Sequence, residues 1–350
     1  MSRLGDNWDN DDVRVRPSGR SRPRSKTRPR HDDAERGFVL TVDRGRYTCL
    51  LGEGTGSERI VMAMRARELG RRAIAVGDQV DIVGDISGTD DTLARVVRIA
   101  SRSSVLRRSA DDTDTAERVL VANADLLVIV TAVADPLPRT GFIDRCLVAA
   151  YTGTLQPVLL LTKADLADPA AIMAAYAELD LPILVSRREI DSASGGPAGR
   201  ALSGGSVELV RELLHDKISV LVGHSGVGKS TLVNALVPDA DRAIGAVTGV
   251  GKGRHTSTSA IALRLPAGGW VIDTPGVRSF GLAHVTPDDL LVAFNDLLDA
   301  TADCPPNCEH LGPPCALDAF VAAGGATMGR LLSFRRLLMS RAGQDTSEAG

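Results

Sequence analysis

No apolar run in this chain approaches the roughly 18–20 residues that a membrane-spanning helix needs, so no membrane segment is expected. The N-terminus is polar and charged, which excludes a secretory signal. Cysteine is scarce and odd in number: Cys49, Cys146, Cys304, Cys308 and Cys315, with the last three close together. That pattern argues against a disulfide framework and fits a reducing cytoplasm. Net charge is only −3, so whole-chain charge favours no class of partner. Aromatics supply just 3% of residues, and the apolar 43% rests mainly on Ala, Val and Leu, enough for a core. Of the 41 Lys and Arg residues, five are Lys: Lys26, Lys163, Lys217, Lys229 and Lys252.

A length of 350 residues suggests two or three domains. Residues 1–36 have almost no apolar periodicity and read as a disordered basic tail. Eight basic and no acidic residues lie between Val13 and Arg30. Such a tail either contacts nucleic acid through phosphates or only solubilises the chain. Residues 37–101 read as short strands at 37–42, 46–51, 60–64 and 80–83 with turns between them. They predict a small β-barrel with an RNA-binding role, an OB-fold by preference, although an SH3-like barrel reads much the same. From 102 to 290 strands and helices alternate, with strands ending at Val133, Leu161, Val185 and Val222 and another at 270–272. Helices are expected at 143–151, 170–179 and about 207–214. This predicts a doubly wound α/β domain with a mostly parallel sheet. The stretch 191–205, rich in Gly, Ser and Ala, reads as a flexible loop. Residues 291–340 turn helical around a Cys/His cluster, and 341–350 read as a second disordered tail.

The strand at Val220, Leu221 and Val222 runs into Gly223-His224-Ser225-Gly226-Val227-Gly228-Lys229-Ser230, then into a helix that opens with Thr231. This is G-x-x-x-x-G-K-[ST] in the strand–loop–helix context that it needs. Glycines let backbone N–H groups converge on phosphate oxygens, and the helix N-terminus adds partial positive charge. Lys229 would reach the β- and γ-phosphates and Ser230 would ligate Mg²⁺. In a chain with five lysines, a chance match is rare.

Another strand ends in Thr162-Lys163-Ala164-Asp165. The Asp165 carboxylate can accept from guanine N1–H and the exocyclic amine, and an adenine would leave it unpaired. The Lys163 stem can cover the base, and the turn at Ser186 can offer a backbone N–H to guanine O6. The strand at 270–272 runs into Asp273-Thr274-Pro275-Gly276. Asp273 would hold the Mg²⁺ shell through water, and the Gly276 N–H would sense the γ-phosphate. Between lies Arg254-His255-Thr256-Ser257-Thr258, where Thr256 or Thr258 would complete the Mg²⁺ shell. Such loops order around γ-phosphate and relax on hydrolysis. A metabolic P-loop kinase would need neither the Asp165 motif nor the Asp273 strand. Val277 stands where many GTPases place a water-positioning Gln, so intrinsic hydrolysis should be slow. A GTP-binding module without turnover stays open.

In an ordinary GTPase the phosphate loop comes first and the base motif last; here the base motif precedes the phosphate loop. Sheet neighbours survive such a permutation because old termini are joined and new ones opened. The join is expected near residues 215–217. With these motifs, with Phe142-Ile143-Asp144-Arg145 and with the terminal Cys/His cluster, the chain over about residues 37–340 resembles the RsgA family of ribosome small-subunit-dependent GTPases. The resemblance implies an N-terminal OB-fold, a permuted GTPase domain and a C-terminal zinc domain. It also implies binding to 16S rRNA on the 30S subunit late in maturation, with subunit-stimulated hydrolysis; a monomer is expected. Two positions depart from the family: Thr162 replaces its usual Asn, and Arg187 stands where Ala is common. A Thr hydroxyl can do part of what the Asn does in bracing the phosphate loop.

Cys304-x3-Cys308-x-His310-x4-Cys315 supplies four N/S ligands, the set for one structural tetrahedral Zn²⁺. Its spacers look a residue shorter than the family's. Arg330, Arg335 and Arg336 follow among Leu331, Phe334, Leu337 and Leu338, as either an RNA-contacting face or a solvated side of a packed helix. His255 is the candidate catalytic residue: polar, in the switch loop and matched by a His in the family. It either holds the attacking water, or caps the loop or contacts RNA.

Overall fold

A computed structural model describes residues 31–70, 72–89, 92–108, 118–190, 200–237, 240, 260–274, 280, 282 and 285–341. The expected tails at 1–36 and 341–350 lie almost wholly outside these residues, as do His255, Thr256, Thr258 and Gly276.

Strands β1 (Glu35–Asp43), β2 (Arg46–Leu51), β3 (Arg59–Arg65), β4 (Gln79–Val83) and β5 (Ala94–Ile99) pair in the order β1-β2-β3-β5-β4, and β4 pairs back onto β1. The result is a closed five-stranded barrel, as the OB-like reading expects. Arg44 and Gly45 join β1 to β2 with φ of 44° and 82°. A two-residue hairpin loop of the primed type needs positive φ at both positions. Val39, Cys49, Leu51, Val61, Val80, Ile82 and Val96 fill the interior.

A hairpin of β6 (Val105–Arg108) and β7 (Arg118–Ala122) follows. Barrel and hairpin meet at Gly77, where φ is +88° and an added Cβ would lie 2.1 Å from the Ala122 carbonyl oxygen. Only glycine fits there.

The second part of the sheet holds β8 (Leu126–Ala132), β9 (Gln156–Thr162), β10 (Ile183–Val185), β13 (Ile218–Val222), β14 (Ile261–Arg264) and β15 (Trp270–Asp273). Their spatial order is β10-β9-β8-β13-β15-β14, all parallel except β14. Every residue of β8 is buried, as in a parallel strand covered on both faces. Leu127 and Ile129 face the core under α1 (Thr140–Thr152), together with Ile143 and Leu147. Leu126, Val128 and Val130 face the core under α3 (Gly204–Leu214) and α4 (Lys229–Leu236). The short α2 (Ala170–Ala175) replaces the longer helix expected at 170–179. The stretch expected to be a flexible loop contributes a strand and the start of α3: β11 (Arg188–Ile190) pairs with β12 (Arg200–Leu202) in a separate hairpin.

Four helices close the chain: α5 (Pro287–Leu291), α6 (Asn295–Leu298), α7 (Ala316–Ala322) and α8 (Met328–Arg341). A capping box between Thr286 and Asp289 starts α5. The α8 arginines point inward. Arg336 Nε lies 3.1 Å from Asp144 Oδ2 on α1, and its guanidinium covers the Tyr176 ring at 4.6 Å. Arg330 covers the Phe294 ring at 4.4 Å, pairs with Asp296 and donates to the Glu178 carbonyl. Arg335 binds both Asp318 oxygens, at 2.8 and 2.7 Å. These three side chains hold the C-terminal helices to one another and to the sheet layer.

The barrel is bound to the strand pair β14–β15. Trp270 Nε1 donates to Glu53 Oε1 at 2.8 Å, and Arg264 Nη1 reaches both Glu58 oxygens at 2.9 Å. The Trp270 and Phe38 rings lie 5.0 Å apart.

Candidate functional site

The ends of β8, β9, β10, β13 and β15 bring the expected nucleotide residues together. Ligands of doubly wound sheets bind at this carboxyl edge. The loop after β13 needs its glycines. A Cβ on Gly223 would sit 2.4 Å from the Val130 carbonyl oxygen, and Gly226 and Gly228 have φ of 82° and 100°. Gly228 caps α4, so Lys229, Ser230 and Thr231 occupy its first turn, where backbone N–H groups are unpaired and suited to phosphate. Lys229 Nζ lies 3.7 Å from Asp273 Oδ1 at the end of β15. The His224 and Phe142 rings lie 4.3 Å apart, tying the loop with its Ser225 to α1.

Thr162 closes β9 and is 4% exposed. Its hydroxyl lies 2.6 Å from the Val227 carbonyl oxygen and 3.2 Å from that of Thr131. The loop brace expected from this residue is thus visible in the geometry. Lys163 Nζ donates to the Asp135 carbonyl, anchoring its stem beside the loop. Asp165 Oδ1 accepts from the Arg188 N–H at 3.0 Å, and Ala164 N–H donates to the Ser186 carbonyl at 3.2 Å. Thr162, Lys163, Ser186, Gly228 and Thr231 line one cleft. Arg188, Leu202 and Leu232 share it, and sequence reasoning singled out none of the three. Asp273 stands at the loop's other flank, and Thr274 Oγ1 fixes the strand end by donating to the Leu221 carbonyl at 2.7 Å.

The second cluster lies before α7. One ligand atom from each of Cys304, Cys308, His310 and Cys315 falls within 4.8 Å of every other. Cys304 Sγ lies 3.9 Å from Cys315 Sγ, and His310 Nδ1 lies 3.5 Å and 3.6 Å from those two sulfurs. A tetrahedral ion with bonds of about 2.3 Å to sulfur and about 2.0–2.1 Å to nitrogen separates such ligands by about 3.6–3.8 Å. The residues therefore fit a zinc-sized ion. Burial holds the His310 pKa below its ordinary value, favouring the neutral ring that metals bind. Arg335 Nε donates to the His310 carbonyl at 2.9 Å, fixing the loop to α8.

A glycine-rich loop that opens a helix, with Asp165 and Asp273 at the same sheet edge, is the arrangement of a P-loop GTPase. Its strands run in the chain order of a circular permutation. The comparisons agree. A family model described as RsgA GTPase matches residues 99–283. The small ribosomal subunit biogenesis GTPase RsgA of Chlorobaculum tepidum is 34% identical over 317 residues, 87% of this chain and 98% of that protein. The Pseudomonas aeruginosa protein of the same name is 37% identical over 277 residues, 77% of this chain and 76% of that one. Among solved structures, YjeQ from Thermotoga maritima superposes with a TM-score of 0.61 at 25% identity, covering 89% of this chain and 99% of that one. YloQ, described as a circularly permuted GTPase, shares the fold with a TM-score of 0.60 at 21% identity. The chain belongs to the RsgA GTPase family.

Proposed function

We propose that this GTPase acts in small-subunit biogenesis: it binds 16S rRNA on the 30S particle late in maturation, and the subunit stimulates its hydrolysis. The observation that carries this reading is the match to curated small ribosomal subunit biogenesis GTPases, one of them covered over 98% of its length. The barrel, residues 37–101, supplies an RNA-facing surface in this reading. Arg46, Met64 and Arg95 stand in one exposed row across β2, β3 and β5, where arginines can meet phosphates. Residues 102–290 form the GTPase domain and 291–340 the zinc domain, which stiffens the C-terminal helices. No helix among the described residues is long and apolar enough to cross a membrane, and the reading places a monomer in the cytoplasm.

In the nucleotide site, Gly223 to Thr231 cradle the phosphates and Lys229 neutralises them. Ser230, with Thr256 or Thr258, holds the Mg²⁺ that accompanies GTP, which spreads the phosphate charge. Asp273 supports that ion, and the Gly276 N–H reads the γ-phosphate. Thr162, Lys163, Asp165 and Ser186 take the base. The second reading is a GTP-bound RNA-associated switch with little turnover of its own, favoured by Val277 in the Gln place. Turnover measured with and without isolated 30S subunits separates the two. Stimulation supports the first reading; equal slow rates, with 30S binding retained, support the second.

A further inference from the structure

The base cleft has a wall that belongs to neither the phosphate loop nor the base motif. β11 and β12 form a two-stranded antiparallel hairpin in which Arg188 lies directly opposite Leu202. Opposed residues project to the same face of an antiparallel pair, and both of these line the cleft beside Thr162, Lys163 and Ser186. The hairpin is also bonded to the base-reading residue itself, because the Arg188 N–H donates to Asp165 Oδ1 at 3.0 Å. One Asp165 oxygen is thereby tied to the hairpin backbone. Its base is anchored: the Ser203 N–H donates to the Arg187 carbonyl at 2.9 Å, and Ser203 caps α3, the helix that leads into the phosphate-loop strand.

A second observation marks this cleft as a ligand site. Ser186 Oγ is buried, the residue is 2% exposed, and the oxygen has no hydrogen-bond partner among the described residues. Buried hydroxyls are rarely left unpaired unless a ligand or a water completes them. A purine presents a flat apolar face and a polar edge. The cleft offers the matching pair of surfaces, with the Leu202 side chain as its apolar wall and the Ser186 hydroxyl at its polar end, and the Arg188 N–H ties Asp165 to that wall.

We propose that the β11–β12 hairpin is a specificity-determining wall of the base site, in which Leu202 packs on the purine and the Arg188 amide aims Asp165. This rests on the assignment of the base to Thr162, Lys163, Asp165 and Ser186. The wall touches the base and not the γ-phosphate, so it acts on GDP and GTP alike. It is a positioning device, and its loss falls on KM rather than kcat.

The test uses the full chain and titrates fluorescent GDP and a non-hydrolysable GTP analogue. Leu202→Ala weakens both by the same factor, about tenfold, as expected for loss of most of one leucine contact. Leu202→Met keeps the apolar area and binds within about twofold of the parent. Unchanged affinity in Leu202→Ala overturns the proposal. So does a loss in Leu202→Met as large as in Leu202→Ala, which would trace to hairpin packing. A loss confined to the triphosphate overturns it too. Asp165→Asn, titrated with guanosine and xanthosine diphosphates, tests the underlying assignment separately. If Asp165→Asn switches preference to xanthine while Leu202→Ala binds as the parent, the wall fails alone. If no switch occurs, the base site itself is misassigned.

Discussion

Replacing Thr162 by Val should weaken guanine nucleotide binding without unfolding the chain. Valine keeps the shape of threonine and removes only the hydroxyl. In the parent that hydroxyl lies 2.6 Å from the Val227 carbonyl oxygen inside the phosphate loop and 3.2 Å from that of Thr131. With Thr162 only 4% exposed, water cannot readily take the vacated place. Leaving a buried acceptor unsatisfied costs about 1–3 kcal/mol. The loop is held at Gly223 by the Val130 backbone and at Lys229 by α4, so its middle is the part that relaxes. The cost then appears as a less ordered loop, which bound phosphate must re-form. At about 1.4 kcal/mol per decade, the dissociation constants of GDP and GTP should rise by about 10-fold, and by no more than about 150-fold. Competitive titration against a fluorescent guanine nucleotide reads this. Thr162→Ser should bind close to the parent because it keeps the donor. Thr162→Asn, whose amide can reach the same carbonyl, should bind at least as tightly as Thr162→Ser. If Thr162→Val binds both nucleotides like the parent, the brace is irrelevant and the reasoning fails.

Protein purified without chelator should carry one zinc per chain by metal analysis, and stripping it should lower the melting temperature. Absence of zinc with α7 and α8 still folded would refute the Cys304, Cys308, His310 and Cys315 assignment. His255→Ala should keep nucleotide and 30S binding while subunit-stimulated turnover falls about 10²-fold, the size of a lost base or water-positioning group. Stimulated turnover near the parent value would shift the trigger to a ribosomal group. Burial raises the Asp144 pKa from 3.8 to about 6. The folded state therefore holds an extra proton between those values, and this site's contribution to stability declines as pH rises through that window. Asp144→Asn does not titrate, so its stability relative to the parent should improve by about 2 kcal/mol from pH 4 to pH 6 in denaturant melts. A flat difference would show that Arg336 already holds Asp144 charged throughout.

Much of the fold was legible because its signals are local. The phosphate loop is read from a buried strand, glycines and a helix start that are contiguous in sequence, and all of them stand where expected. The first four barrel strands alternate buried and exposed residues or follow tight turns, so they were found. β5 escaped because Ala94 to Ile99 places Val96 and Val97 side by side, both buried, where the register against β4 shifts between Asp81 and Ile82. A bulge of this kind breaks the two-residue period that a sequence reader relies on. β14, four residues long, is recognisable only through its pairing with β15 and β1. The outcome for Arg330, Arg335 and Arg336 was also closed to sequence reasoning, since helical spacing says which residues share a face but not what lies opposite. Their partners Asp296, Asp318 and Asp144 sit on three other elements.

The same distinction explains what was missed at the site. Thr162, Lys163, Asp165 and Ser186 follow apolar strands directly, so strand ends place them at the sheet edge without any knowledge of packing. Leu202 lies within the 191–205 stretch rich in Gly, Ser and Ala, which carries neither period, and its pairing with Arg188 brings it to the cleft. A hint was present in Ser203, a side chain suited to starting the helix expected at about 207–214, because a helix cap close behind the base motif limits how far the chain can wander. Ser203 does cap α3, accepting from the Ser206 N–H at 3.3 Å. The chain must therefore return from Ser186 to a fixed helix start, and the paired strands β11 and β12 set Arg188 and Leu202 at the cleft on that return.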